Sequence, residues 1–96
     1  MIRKRVVVSG QVQDVYFRDT CRREAAAHRV AGWVRNLPDG TVEAVFEGTP
    51  HAVERMVAWA HRGPLTADVD RVVVADETPE GLTGFTVRPT SRSLES

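Results

Sequence analysis

Gly32-Trp33-Val34-Arg35-Asn36-Leu37-Pro38-Asp39-Gly40-Thr41-Val42-Glu43-Ala44-Val45-Phe46-Glu47 contains two apolar, β-favouring runs around a turn sequence. Pro38 supplies a fixed φ and Asp39-Gly40 the positive φ values of a short connection, so Gly32 to Asn36 and Thr41 to Glu47 are predicted strands of a hairpin. On the C-terminal side, Thr49-Pro50 reads as an N-cap followed by the first helical residue. Val53, Met56, Val57 and Ala60 then recur at helical spacing until Gly63-Pro64 stops the helix. On the N-terminal side, Phe17, Cys21, Ala25 and His28 or Val30 mark a second helix. That helix has no glycine at its end, so Arg29 or Val30 must make the exit. Ahead of it, residues 2–9 put Ile2, Val6 and Val8 on one face and Arg3, Arg5 and Ser9 on the other, the period of a strand. Val69 to Ala75 and Phe85 to Arg88 are β-branched or aromatic and flank Pro79-Glu80-Gly81, which predicts a second hairpin.

The resulting order is strand, helix, strand, strand, helix, strand. This is the split βαβ arrangement, an α+β, ferredoxin-like sandwich with both helices on one face of an antiparallel sheet. At 96 residues the chain has room for one core. Residues 1–88 are assigned to the domain and 89–96 to a polar C-terminal tail expected to fray. Lys plus Arg and Asp plus Glu are both 13, so the net charge is zero and bulk attraction to nucleic acid or an anionic membrane is not expected. No run approaches the roughly 20 apolar residues of a membrane span, and Met1 to Gly10 lacks the apolar core of a secretory signal. A single cysteine, Cys21, fits a reducing, cytoplasmic location. The apolar stripes are used up by one core, which makes a monomer the expectation.

Because this architecture hosts many functions, the loops must decide between them. Gly10 to Arg18 lies between a strand and a helix, where backbone N–H groups and the positive helix end can together surround an anion. Arg18 adds a permanently charged planar fork suited to phosphate oxygens. No Gly-Lys-Ser/Thr follows, so this is not a nucleotide P-loop, and no acidic cluster stands ready for magnesium.

Val8-x-Gly10-x-Val12-Gln13-x-Val15-x-Phe17-Arg18 resembles the phosphate-loop signature of the acylphosphatase family, with one departure, Asp14, where a glycine is usual. A second signature is met in full: Gly32-Trp33-Val34-Arg35-Asn36, three residues, Gly40-x-Val42, five residues and Gly48. Both lie within residues 8–48. The resemblance implies that Arg18 and Asn36 form the catalytic pair and that Gln13, Asp14, Val15, Tyr16, Phe17 and Arg18 surround the phosphate. It also implies that no cofactor or metal is needed, that small-molecule acyl phosphates are the substrates, and that inorganic phosphate is a product. A carboxylate leaving group, with a conjugate-acid pKa of about 4, needs little general acid, so much of the catalysis can be positioning.

The same residues admit other readings. Arg18 could sit in a surface ion pair, and Asn36 could merely initiate a turn. Gly10, Gly32, Gly40 and Gly48 read as backbone devices, with Gly10 at the loop mouth. Cys21 falls in an apolar stripe and reads as a packing residue, while His28, His51 and His61 have no partners at metal-ligand spacing. Trp33, Phe46, Trp59 and Phe85 are assigned to the core or its edge. An RNA-binding module would need exposed aromatics and a basic sheet face, which six aromatics and zero net charge do not favour. The alternative function is that of a non-catalytic phosphate- or anion-binding or regulatory ferredoxin-like domain. The resemblance extends to acylphosphatase-like domains that open larger hydrogenase-maturation proteins, against which this chain reads as free-standing.

Overall fold

Alternation along residues 2–11 leaves Val6 and Val8 fully buried on one face while Arg3 and Arg5 turn to the other. In the computed structural model of the chain, which describes residues 1–90, this segment is β1 (Ile2–Gln11). The remaining elements are α1 (Phe17–Ala27), β2 (Ala31–Asn36), β3 (Val42–Gly48), α2 (Pro50–Arg62), β4 (Asp68–Glu77) and β5 (Phe85–Val87).

The sheet order is β4-β1-β3-β2-β5. Val8 pairs with Val42, and Val42 pairs on its other side with Asn36. Val6, Val8, Val34, Val42, Ala44 and Phe46 face Phe17, Cys21 and Ala25 of α1 and Val53, Met56 and Trp59 of α2. One core therefore lies between one sheet face and two helices, as expected for a ferredoxin-like α+β sandwich. Phe17 and Trp59 tie the helices together with ring centroids 5.1 Å apart.

The helix ends follow from local chemistry. Thr49 Oγ1 accepts from the Ala52 N–H at 3.3 Å, and Gly63, at φ 68°, closes α2. α1 ends without glycine: Arg29 takes φ 58°, and the Val30 N–H donates to the Ala25 carbonyl at 2.8 Å. The first hairpin also forms as read, its turn fixed by Asp39, whose Oδ1 accepts from the Thr41 N–H and hydroxyl.

The expected second hairpin does not form. β4 runs antiparallel along β1 at one edge, whereas β5 lies at the opposite edge, parallel to β2. The sheet is thus antiparallel except for this last pair. The connection 78–84 is a crossover, because Glu47 captures it: its carboxylate accepts from the backbone N–H groups of Glu80, Gly81 and Leu82 at 2.9–3.1 Å. Phe85 then stacks on Phe46 with centroids 6.0 Å apart, closing the core beside β2. Of the polar tail, Pro89 and Thr90 lie outside any strand, and residues 91–96 lie outside the described residues.

On the sheet face away from the helices, charge replaces apolar packing. Arg3 bonds Glu47 at 2.7 Å and Glu77 at 2.8 Å, and Arg5 and Arg35 share Glu43. Trp33 belongs to this face and not to the helix-side core. The Arg35 and Arg88 guanidinium carbons lie 5.0 and 4.4 Å from its ring centroid. Phe46 and Trp59 are core residues and Phe85 a core-edge residue, as read.

Candidate active site

Because β1 and β2 both run antiparallel to β3, they point the same way, and their C-terminal ends lie at the same end of the sheet. Gly10 to Arg18, which runs from the last residues of β1 into α1, and Asn36, which ends β2, therefore share this end. The register fixes their spacing: Val8, Val42 and Asn36 stand in one row, so Asn36 lies two strands, roughly 10 Å, from the β1 exit.

The loop starts at a β-bulge between Ser9 and Gly10. Gly10 takes φ 122°, and a Cβ there would lie 2.3 Å from the Asp68 carbonyl oxygen, so only glycine lets β1 turn while still touching β4. Val12, buried, anchors the loop in the core. Asp14 and Tyr16 then take φ 62° and 65°, left-handed conformations either side of Val15. Such alternation turns successive N–H groups toward one concavity. Tyr16 is the N-cap of α1 and its side chain makes no capping hydrogen bond, which leaves the first-turn amides without a side-chain acceptor. The loop is braced from two sides. The Thr66 hydroxyl donates to the Val15 carbonyl, and the Gln13 side-chain amide donates to the carbonyls of Leu37 and Thr41, each at 2.9 Å.

Arg18 sits in the first turn of α1, half-buried, and makes no ion pair among the described residues. Its neighbour Asp19 is engaged elsewhere, by Arg22 at 2.9 Å and Arg23 at 3.1 Å. The guanidinium fork is therefore free for an anion, and the surface-ion-pair reading loses its partner. Asn36, the last residue of β2, is buried, and its Oδ1 has no hydrogen-bond partner among the described residues. A buried amide oxygen left alone is costly, which makes it an acceptor awaiting a donor.

A cavity of about 470 Å³ opens at this end, lined by Asp14, Tyr16, Phe17 and Arg18, with Val12, Asp19 and Val87 around them. Four of the six residues expected at the phosphate thus line one hollow. Gln13 and Val15 do not; the Gln13 side chain and the Val15 carbonyl serve as braces. Asn36 is not among the lining residues but stands on β2 beyond Val34, the partner of Val87. Thr66 and Val87 were missed by sequence reasoning, since neither belongs to a motif and each reaches the loop only through the fold. Cys21, one turn beyond Arg18, is fully buried, and burial pushes its thiol well above the ordinary range, so it supplies no thiolate. No group of three or more His, Cys, Asp or Glu among the described residues is arranged to hold a metal ion.

The sequence profile of the acylphosphatase family matches residues 4–87. The chain belongs to the acylphosphatase family. It is 57% identical over 86 residues to an acylphosphatase of Gloeobacter violaceus, covering 90% of this chain and 92% of that one. An acylphosphatase of Thermococcus kodakarensis is 56% identical, covering 90% and 94%. The crystal structure of the Bacillus subtilis acylphosphatase superposes with a TM-score of 0.88 at 34% identity, over 92% of this chain and 99% of that one. An acylphosphatase is a hydrolase that splits the carboxyl-phosphate anhydride of acyl phosphates, and that is the activity of this enzyme. The usual glycine at position 14 of the acylphosphatase signature has a visible cause in the φ of 62°, a region that Asp enters more readily than most residues.

Proposed function

We propose that this acylphosphatase works by in-line attack of water on phosphorus, with Arg18 and the backbone amides of residues 13–18 holding the phosphate and Asn36 aiming the water. The acyl phosphate dianion enters with its phosphoryl oxygens toward the uncapped first turn of α1 and the Arg18 fork. Asn36 Oδ1 accepts one hydrogen of the water and points its oxygen at phosphorus, opposite the leaving carboxylate. The new P–O bond forms as the bridging O–P bond breaks, and the electron pair leaves with the carboxylate. One water proton stays on the new P–OH. The other passes to a phosphoryl oxygen, because a neutral amide is a poor base, and the products are carboxylate and dihydrogen phosphate. Charge growing on the equatorial oxygens is met by the loop amides and Arg18, the part of the site where differential stabilisation is greatest.

The single observation that carries this reading is the buried, unpartnered Oδ1 of Asn36 at the same end of the sheet as the uncommitted Arg18 guanidinium. Since the division of labour leaves no step for a metal, hydrolysis is metal-independent. The working unit is residues 1–88, acting as a monomer in the cytoplasm. No helix of the described residues is long and apolar enough to cross a membrane.

Hydrolysis of acetyl phosphate in ¹⁸O-water containing EDTA tests this reading. Undiminished turnover with the label in inorganic phosphate and none in acetate is expected. Label in acetate would mean attack at the carbonyl carbon, and activity lost to EDTA but restored by a divalent ion would mean a metal takes part.

A further inference from the structure

Two half-sites hang on different parts of the chain. The phosphate loop follows β1, and Asn36 ends β2; β1 and β2 are not neighbours, since β3 lies between them. In-line attack tolerates little error between water and phosphorus, and a displacement near 1 Å can cost about a hundredfold in rate. Something must hold the two at fixed separation. Backbone pairing stops short of doing so, because the β1–β3 ladder ends at Val8–Val42, before the loop begins.

The Gln13 side chain spans the gap. Both hydrogens of its amide nitrogen are used, one on the Leu37 carbonyl and one on the Thr41 carbonyl, each at 2.9 Å. These two carbonyls bracket the turn that follows Asn36, and the turn is itself closed by the Leu37 N–H on the Thr41 carbonyl at 2.9 Å. Among the described residues, these are the only hydrogen bonds between residues 12–16 and residues 37–41. The amide of Gln13 is half-buried, so its bonds meet limited competition from water. One residue thus gives its main chain to the phosphate loop and its side chain to the turn next to the water guide.

We propose that Gln13 is a positioning residue for hydrolysis: its side-chain amide sets the placement of Asn36 against the phosphate loop and acts on turnover through Asn36. The inference rests on the role given above to Asn36. It separates Gln13 from the residues that bind the anion, because removing the side-chain amide leaves the loop's own N–H groups in place.

The test is a double-mutant cycle on acetyl phosphate, with inorganic phosphate as competitive inhibitor. Gln13→Met keeps length and removes both donors; Gln13→Leu removes them with a shorter side chain, and neither adds a charge beside the phosphate. Each should lower kcat by about tenfold to a hundredfold while the phosphate inhibition constant stays within about twofold. In an Asn36→Ala background the same substitutions should cost less than about threefold, since the group they position is gone. A full kcat loss persisting in Asn36→Ala, or a phosphate inhibition constant rising in step with the loss, would overturn the proposal, since Gln13 would then act on phosphate binding and not through Asn36. An unchanged kcat in both Gln13 variants would overturn it as well. If Asn36→Ala alone leaves kcat intact, the water-guide reading fails and takes this one with it. If Asn36→Ala costs turnover and the Gln13 effects are simply additive, only the Gln13 proposal fails. Should Gln13→Leu not fold, Gln13→Met carries the same comparison.

Discussion

Asp14 holds a left-handed backbone, φ 62°, at the mouth of the cavity it helps to line. Two costs follow, and they can be separated. For an L-residue this conformation costs about 1 kcal/mol against glycine, with Asp and Asn at the lower end of that range. A carboxylate roughly 6 Å from a bound phosphate repels it by about 0.7–3 kcal/mol at effective dielectrics from 80 to 20. Asp14→Asn removes the charge and keeps the side chain; Asp14→Gly removes both. Both variants should therefore tighten phosphate inhibition and raise kcat/KM, by up to about a hundredfold, while only Asp14→Gly should change the unfolding free energy. Inhibition constants that stay put in both variants would mean that the carboxylate lies too far from the anion to matter. At this scale the motifs singled out Arg18, Asn36 and the loop, and the strand order brings them to one end of the sheet. The contacts of the Gln13 side chain were not legible in the sequence: its partners are main-chain carbonyls 24 and 28 residues away, which leave no side-chain signature.

Among the elements, β1 and β4 meet at the bulge where Gly10 leaves no room for a side chain. Gly10→Ala should cost about 1–3 kcal/mol from the backbone conformation alone, and more from the contact with the Asp68 carbonyl. Because the same bulge launches the phosphate loop, KM should rise together with the loss in stability. Chemical denaturation beside steady-state kinetics checks this, and a variant of parental stability would show that β4 can move aside freely. α2 and the first hairpin were readable because Thr49-Pro50, Gly63-Pro64 and Pro38-Asp39-Gly40 each state a local rule. The place of β5 was not, since Pro79-Glu80-Gly81 suits a hairpin and a crossover equally well. What decides between them is the Glu47 carboxylate, a residue that in sequence is one acidic position among many.

Across the molecule, two buried carboxylates on the open sheet face tie β1, β2, β3 and the 78–84 crossover together. Burial alone would raise Glu47, but the Arg3 guanidinium and the three loop amides outweigh it and hold the carboxyl below its ordinary value near 4.5. Glu43 is held low in the same way, burial being outweighed by Arg35 and Arg5. A carboxylate depressed on folding contributes stability that is fully present above the unfolded-state pKa and is lost as pH falls through the folded one. The melting temperature should therefore hold between about pH 7 and 5 and fall steadily on further acidification, with a shallower fall in Glu47→Gln. An acid limb identical in Glu47→Gln would place the titrating groups elsewhere. The same strand order that builds this face carries Asn36 and the Arg18 loop to one end of the sheet, where the proposed mechanism divides the labour between water and anion. The kinetics of Asn36→Ala on acetyl phosphate, measured with inorganic phosphate as inhibitor beside Arg18→Lys, test that division most directly. Asn36→Ala should lose about a hundredfold or more in kcat with the phosphate inhibition constant within about twofold, while Arg18→Lys should lose both turnover and phosphate affinity. Phosphate affinity collapsing in Asn36→Ala in proportion to its rate, or Arg18→Lys behaving like the parent, would contradict it.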